Sequence, residues 1–516
     1  MARRARPLKA GAPVLSGALA TFVLGAVLVL ALNAEGFSLR PAEWAALLFT
    51  LKQAALSAFF ATLLAIPTAR ALARRRFLGR AALIALMGAP FLLPVVVAVI
   101  GMLSIYGRQG IANQLLSLLH LPPFSIFGLH GVVLTNVFFD LPLATRILLN
   151  GWSAIPSERF RLAETLGLPP ATLRSHIEYP MLREVLPGAF VVVFLLCLTS
   201  FVVSLTLGGG PKATTLELAI YQAIRFDFDL GRAALLALLQ FGCCALAVLL
   251  AGRFTIASGM GAGRDRLSRI PAPAGWRQAG DAVLLATVTL FLILPLAAIV
   301  AGGLPAVTQL SANVWNSALR SLIIALLSTL LATSGGLTLA LAVAAKARWA
   351  AAMEMSAMLP MAASGLVLGT GMFLVLRPYS TPESVALPAT IMVNAVMALP
   401  FLYRALLPEA RALEADYGRL CATLNLQGIA RLRHITLPRL ARPLGLGCGI
   451  AAALSAGDLG VIALFAGDTN ATLPLMVRRL AGAYRMDEAA AASLVLVALS
   501  FGLFLLFDIG GRRAAP

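Results

Sequence analysis

Charge is what this sequence has least of. Of 516 residues only 12% are Asp, Glu, Lys or Arg while 60% are hydrophobic, and the mean hydropathy is +0.89. Soluble domains carry about a quarter charged residues, so a water-soluble globular fold is excluded. Acids are the scarcer sign, 22 against 41 basic residues, for a formal charge of +19. Cysteine is rare too. Cys197, Cys243, Cys244, Cys421 and Cys448 fall in apolar runs or in segments assigned below to the cytoplasmic side, which points to small core side chains and not to disulfides or a metal site. The four histidines, His120, His130, His176 and His434, do not cluster as metal ligands, and no Ser-His-Asp or paired-carboxylate arrangement stands out. G-x-x-x-x-G-K-[ST] is missing; the nearest stretch, Gly208-Gly209-Gly210-Pro211-Lys212, has the wrong spacing and reads as a turn. The chain is expected to be no enzyme, to hold no cofactor and no metal, and to lack an ATPase site of its own.

Long apolar runs dominate what is present. Twelve stretches reach the roughly twenty residues that a bilayer core requires: 14–32, 45–68, 82–104, 127–149, 186–207 and 233–251, then 281–301, 316–343, 354–376, 386–407, 443–465 and 490–508. The first follows Arg3, Arg4, Arg6 and Lys9 but is too long for a secretory signal and has no small-x-small cleavage site, so it reads as a span. With the N-terminus inside, one side collects Arg70, Arg74, Arg75, Arg76, Arg80, Arg253, Arg264, Arg266, Arg269, Arg277, Lys346, Arg348, Arg512 and Arg513. The positive-inside rule then places both termini in the cytoplasm. These arginines are scattered without interleaved aromatics, so topology and anionic lipid head groups account for the basic balance, and nucleic acid does not.

The chain also repeats itself. AETLGLPPATLRSHIEYPMLR from Ala163 to Arg183 returns 258 positions later as CATLNLQGIARLRHITLPRLA from Cys421 to Ala441. Thr165, Leu166, Leu168, His176, Ile177, Pro180 and Leu182 recur as Thr423, Leu424, Leu426, His434, Ile435, Pro438 and Leu440. The register extends to Asn136 and Asn394, Pro142 and Pro400, Arg146 and Arg404, and Ala213-Thr214 and Ala471-Thr472, whereas Gly101 pairs with Gly371 at an offset nearer 270. The chain is a duplication. An even number of spans per copy makes the halves parallel repeats about an axis along the membrane normal, with a pathway between them. The expected fold is an all-α polytopic membrane protein of about twelve transmembrane helices in two parallel six-helix repeats. Its expected divisions are a first half 1–252, a cytoplasmic linker 253–280 rich in Gly, Pro and Arg, and a second half 281–516.

Each repeat reads as two short helices on a cytoplasmic loop, near 156–184 and 414–442. Pro156-Ser157-Glu158 is a helix start with a capping oxygen. Gly167 and Asn425 are the residue types that end a helix in the left-handed conformation, and the residue before Pro180 or Pro438 is pushed away from helical geometry.

These loops resemble the EAA loop of ABC importer permeases, E-A-A, three residues, Gly, nine residues, Ile, one residue, Leu-Pro. Ala163, Gly167, Ile177 and Pro180 match in the first copy, and Ile435, Leu437 and Pro438 in the second; Arg161-Leu162, Arg419-Leu420-Cys421, Asn425 and Tyr179 depart from the pattern. Ser104 to Gly110, SLTLGGGPKATTLELAIYQA from Ser204 to Ala223, and FDFDLGRAALLALLQ from Phe226 to Gln240 are similar to the bacterial thiamine ABC transporter permeases. That resemblance implies a fused permease for thiamine and its phosphate esters in the inner membrane. It also implies a periplasmic thiamine-binding protein outside and two copies of a cytoplasmic ABC ATPase inside. The coupling positions it implies are Ala163, Glu164, Gly167, Ile177 and Pro180 with Ala422, Asn425, Ile435, Leu437 and Pro438.

Asp140 and Asp458 fall in or near spans, where acids are functional candidates, and a hydrogen-bonded structural acid is the competing reading; they are not repeat partners. Asp227, Asp229 and its repeat Asp487 face outside as candidates for binding-protein docking, or are solvated loop charge. Gly365, Gly369 and Gly371 read as close helix packing. An iron(III) ABC permease, an ion-coupled secondary transporter and a membrane scaffold are the alternatives; the last two leave the repeat loops unexplained. Accessibility labelling of cysteines placed at Gly167 and Asn425 is expected to find both on one side of the bilayer, and opposite sides would rule out parallel halves.

Overall fold

The computed structural model describes residues 7–34, 39–88, 92–208, 210, 213–251, 275–467 and 469–515. The linker expected at 253–280 lies outside the described residues as far as 274, as do Gly209, Pro211 and Lys212. Among the described residues there is no β-strand. The first half holds α1 (Pro7–Asn33), α2 (Pro41–Arg74), α3 (Arg80–Leu86), α4 (Val95–Tyr106), α5 (Ile111–Leu118), α6 (Leu129–Ala154), α7 (Ser157–Thr165), α8 (Pro170–Leu173), α9 (Tyr179–Leu198), α10 (Phe201–Leu207), α11 (Leu216–Arg225) and α12 (Leu230–Ala251). The second holds α13 (Trp276–Gly303), α14 (Ala312–Ala344), α15 (Ala350–Met358), α16 (Gly365–Leu376), α17 (Pro382–Thr423), α18 (Gly428–Arg431), α19 (Leu437–Gly457), α20 (Gly460–Phe465), α21 (Leu473–Gly482) and α22 (Met486–Ala514).

Among the described residues, 11 helical segments are long and apolar enough to cross a membrane, and α15 with α16, bent by 94°, would make a twelfth. The protein is an all-α polytopic membrane protein. The apolar runs do not map one to one onto straight helices, and proline is the main reason. The run expected at 82–104 divides into α3 and α4, with Pro94 as the N-cap of α4, and the apolar span begins at Val95. The run at 354–376 bends at Pro360 to Ser364.

The halves interlock. Each half's first helix packs against the last helix of its own half and against the partner half: α1 against α12, α14, α15 and α16, and α13 against α22, α2 and α4. One buried cluster accordingly joins Leu285, Leu292 and Ile299 of α13 to Val97, Phe138 and Val193 of the first half. A second large cluster joins Val23 and Leu30 of α1 to Val367, Val393 and Ile462 of the second half. Polar contacts secure both crossings: Ser16 Oγ lies 2.8 Å from Ser356 Oγ, and Arg74 and Arg75 donate to Asp281 at 2.5–2.9 Å.

At both crossings a repeated glycine lets backbones meet. A Cβ on Gly101 would lie 2.7 Å from the Pro295 carbonyl oxygen of α13, and one on Gly371 would lie 3.0 Å from the Ala26 carbonyl oxygen of α1. Real side chains do not reach such distances to backbone, so helices without a hydrophobic force between them gain contact by keeping glycine here. A side chain at either position is expected to cost roughly 1–3 kcal/mol through forced separation. Gly371→Leu and Gly101→Leu should lower the thermal unfolding temperature of the detergent-extracted protein. Gly365→Ala, where the added Cβ meets Val461 Cγ2 at an ordinary 3.5 Å, should leave it unchanged.

Candidate functional site

The two repeat loops share one local geometry. α7 ends when Gly167 turns left-handed at φ +61°, the Leu168 N–H donating to the Ala163 carbonyl and the Gly167 N–H to the Glu164 carbonyl, both at 3.0 Å. α17 ends in the same way at Asn425, φ +51°, with Leu426 N–H on the Cys421 carbonyl at 2.9 Å and Asn425 N–H on the Ala422 carbonyl at 3.3 Å. This paired arrangement satisfies the last free carbonyls of a helix. Ala163 and Cys421 are buried beneath the turn, Glu164 and Ala422 are exposed, and Ile177 and Ile435 are half-buried. Leucines face out at matching places, Leu162 (61% exposed) with Leu166 (63%) and Leu420 (47%) with Leu424 (60%), and Leu168 and Leu437 are exposed as well.

Two expectations need correction. Tyr179 and Leu437, which precede Pro180 and Pro438, stay right-handed helical (φ −64° and −63°). A π-turn at Arg174–Glu178 and at Leu432–Thr436 widens the helix before each proline, so the missing N–H and the bulk of the ring are taken up without a break. The second stretch of each loop is therefore no separate short helix but the entry of α9 or α19. The copies also differ at their start. Pro156 separates α6 from α7 as its N-cap, without a side-chain cap, whereas Glu414 stands at the equivalent place and α17 runs unbroken through 42 residues.

At their far ends α9 and α19 stop inside the apolar run. The chain breaks at Thr199-Ser200 before α10 and at Asp458-Leu459 before α20. In hydrocarbon the freed backbone groups need partners, and buried side chains supply them. Gln53 Nε2 donates to the Cys197 carbonyl at 2.7 Å and Gln240 Nε2 to the Leu198 carbonyl at 2.9 Å. Asn394, the repeat of Asn136, reaches Ser455 Oγ at 3.1 Å, while Asn136 donates to Gln53 Oε1 at 2.9 Å and reaches Ser200 Oγ at 3.4 Å. The next helices are tied symmetrically, Leu216 N–H to Thr50 Oγ1 at 2.8 Å and Leu473 N–H to Ser321 Oγ at 2.9 Å.

The breaks of opposite halves face one another. A Cβ on Gly457 would meet Pro94 Cβ at 3.0 Å, joining the end of α19 to the start of α4. Across the same interface Glu217 at the start of α11 faces Ser364, the N-cap of α16, as well as the Phe201 backbone and the Asp458 carboxylate.

Asp140 and Asp458 therefore differ. Asp140 is buried within the first half and accepts from Cys197 Sγ at 3.0 Å. Asp458 sits at a helix break, with Oδ1 accepting from Gly460 N–H at 3.3 Å. Of the docking candidates, Asp227 and Asp487 are exposed, Asp229 caps α12 by accepting from Arg232 N–H at 2.9 Å, and Asp487 lies in the first turn of α22; both helix starts favour an acid. Sequence reasoning missed Glu217. Its one signal was an acid in the apolar stretch Leu216–Arg225, and that stretch counted as an outer loop.

No family model matches the chain. It is 39% identical to the thiamine transport system permease protein ThiP of Salmonella typhimurium over 495 residues, 91% of this chain and 90% of that protein. With ThiP of Escherichia coli K12 the identity is 38%, covering 99% of both chains. The molybdenum transport system permease protein ModB of Mycobacterium bovis is 30% identical over 215 residues, 42% of this chain and 81% of that one. A permease thus matches less than half of this duplicated chain over about four fifths of its own length. With identity of this level running the whole length of both proteins, the chain belongs to the family of the thiamine transport system permease proteins.

Proposed function

We propose that this chain is the membrane-spanning permease subunit of an ABC importer that carries thiamine and its phosphate esters across the bacterial inner membrane. The ATP is hydrolysed by two copies of a separate cytoplasmic ATPase, one on each repeat loop, and a periplasmic thiamine-binding protein delivers cargo to the opposite face, where Asp227, Asp229 and Asp487 are candidates for its docking. Both termini lie on the cytoplasmic side with the arginine-rich segments, against anionic lipid. Membership of the thiamine permease family supports the cargo; the second repeat loop supports the paired motor.

The observation that carries the coupling is the duplicated turn with its outward leucines. Leu162 with Leu166 and Leu420 with Leu424 are apolar pairs one helical turn apart, exposed at the same place in both loops beside further exposed apolar side chains such as Tyr179 and Ile429, as a partner surface is. Behind each turn stands a lever. α9 runs 20 residues from Tyr179 to Leu198, about 30 Å at helical rise, and ends at the Thr199-Ser200 break. α19 likewise ends at Asp458. A push on Gly167 or Asn425 is delivered along one stiff helix to the centre, where rocking of the interlocked halves opens the pathway to alternate sides.

Valine at both Gly167 and Asn425 puts a β-branched residue at positive φ, at a cost of about 1–3 kcal/mol each, and is expected to break the link between ATP hydrolysis and uptake. Hydrolysis still coupled to thiamine transport in that double variant would contradict the lever. A variant carrying Leu162→Asp and Leu420→Asp should fold and insert yet lose ATPase on co-purification, with a drop in retained ATPase of roughly tenfold or more; undiminished retention would place the motor elsewhere.

A further inference from the structure

Two buried carboxylates, Glu217 and Asp458, come from opposite halves, and neither is ion-paired among the described residues. Glu217 is 2% exposed and its Oε1 has no hydrogen-bond partner among the described residues. Asp458 comes from the other half, and its Oδ2 is likewise buried and unpartnered. Ser364 and the Phe201 backbone hydrogen-bond to the Glu217 carboxyl, and the charged group that acts on it is Asp458 across the interface. Arg478 does not pair with either acid but lies over the Tyr221 ring at 5.7 Å. Burying one carboxylate with an unsatisfied oxygen is costly, and two of like sign facing each other cost more. An arrangement of this kind is relieved by a positive charge between them.

The surroundings describe that charge. Phe201, buried at the first-half break, packs against Tyr221 with ring centroids 5.5 Å apart, and its Cδ1 comes within 4.0 Å of a Cβ built on Gly460, two residues from Asp458. Carboxylates beside aromatic rings suit a flat or quaternary organic cation, which carries its charge without N–H donors on the charged atom. A small metal ion would require several oxygens in close array, and here Ser364 Oγ already accepts from Val367 N–H at 3.2 Å as the cap of α16. The pair is also asymmetric. The repeat of Glu217 is Leu475 and that of Asp458 is Ser200, so this is one site on the interface and not two copies of a structural clasp.

We propose that Glu217 and Asp458 together form a membrane binding site for the positively charged ring of the cargo, an aromatic quaternary cation of the thiazolium type, as it passes between the halves. This rests on the reading of the chain as a thiamine permease. Each half supplies one acid, so rocking that separates the halves parts the two carboxylates and weakens their joint hold on the cation, which releases it.

The test uses the full complex in proteoliposomes, reconstituted with its ATPase and a thiamine-binding protein, and reads radiolabelled thiamine imported per ATP hydrolysed. Glu217→Gln and Asp458→Asn keep size and hydrogen bonding but remove charge. Each is expected to lower the ratio of uptake to hydrolysis by roughly tenfold, with hydrolysis still stimulated by the binding protein, the thermal unfolding temperature held or raised as the buried charge is removed, and Glu217→Asp restoring part of the ratio. The proposal is overturned if the double variant keeps the wild-type ratio. It is equally overturned if uptake, stimulated hydrolysis and unfolding temperature fall together, the signature of a packing role. A wild-type complex that imports no thiamine at all would instead strike down the cargo reading on which the proposal rests.

Discussion

Hydrocarbon offers no water to a backbone group that loses its partner, and this protein interrupts its helices within four apolar runs. The polar side chains gathered at those breaks follow from that. Gln53 and Gln240 cover the carbonyls at the end of α9, Ser364 caps α16, and Thr50 and Ser321 receive the first N–H groups of the segments that lead into α11 and α21. These side chains are costly to bury unless matched, and each is matched to main chain through at least one atom. Glu217 Oε1 and Asp458 Oδ2 take no part in that main-chain repair.

The interruptions also explain the interlocking. A broken helix cannot shield its own bend, so each half's first helix lies across the other half, α1 against α16 and α13 against α4, where Gly371 and Gly101 admit it to backbone contact. The halves thereby share their two large cores and move as bodies hinged on each other, the second half keeping only small clusters of its own around Ala325 and Ala332. A rigid α9 or α19 with a flexible joint at each end, the left-handed turn below and the break above, is what a mechanical link needs.

Much of this was legible in residue order. Apolar run length gave the spans, the repeated Gly101 and Gly371 were paired before their contacts were visible, and Gly167 and Asn425 were assigned the left-handed turns that they adopt. What stayed hidden is instructive. Pro180 and Pro438 read as helix ends because sequence rules describe α geometry, while the chain inserts π-turns ahead of them. The difference between a separate α7 and a continuous α17 turns on Pro156 standing where the second copy has Glu414. Glu217 escaped because a run of ten residues is too short to count as a span, and only tertiary contact carries its acid to Asp458.

The central claim is that breaks from opposite halves meet at the pathway and part when it opens. Pro94 and Gly457 test it most directly, since a Cβ on Gly457 lies 3.0 Å from Pro94 Cβ, and a separation of about half an ångström more brings the pair to the roughly 3.5–4.5 Å that a disulfide spans. In a background without the native cysteines, Pro94→Cys with Gly457→Cys is expected to cross-link under mild oxidation in the ATP-free complex. That cross-link should arrest thiamine uptake, and reduction should restore it. Failure to cross-link, or full uptake by the cross-linked complex, would contradict the account.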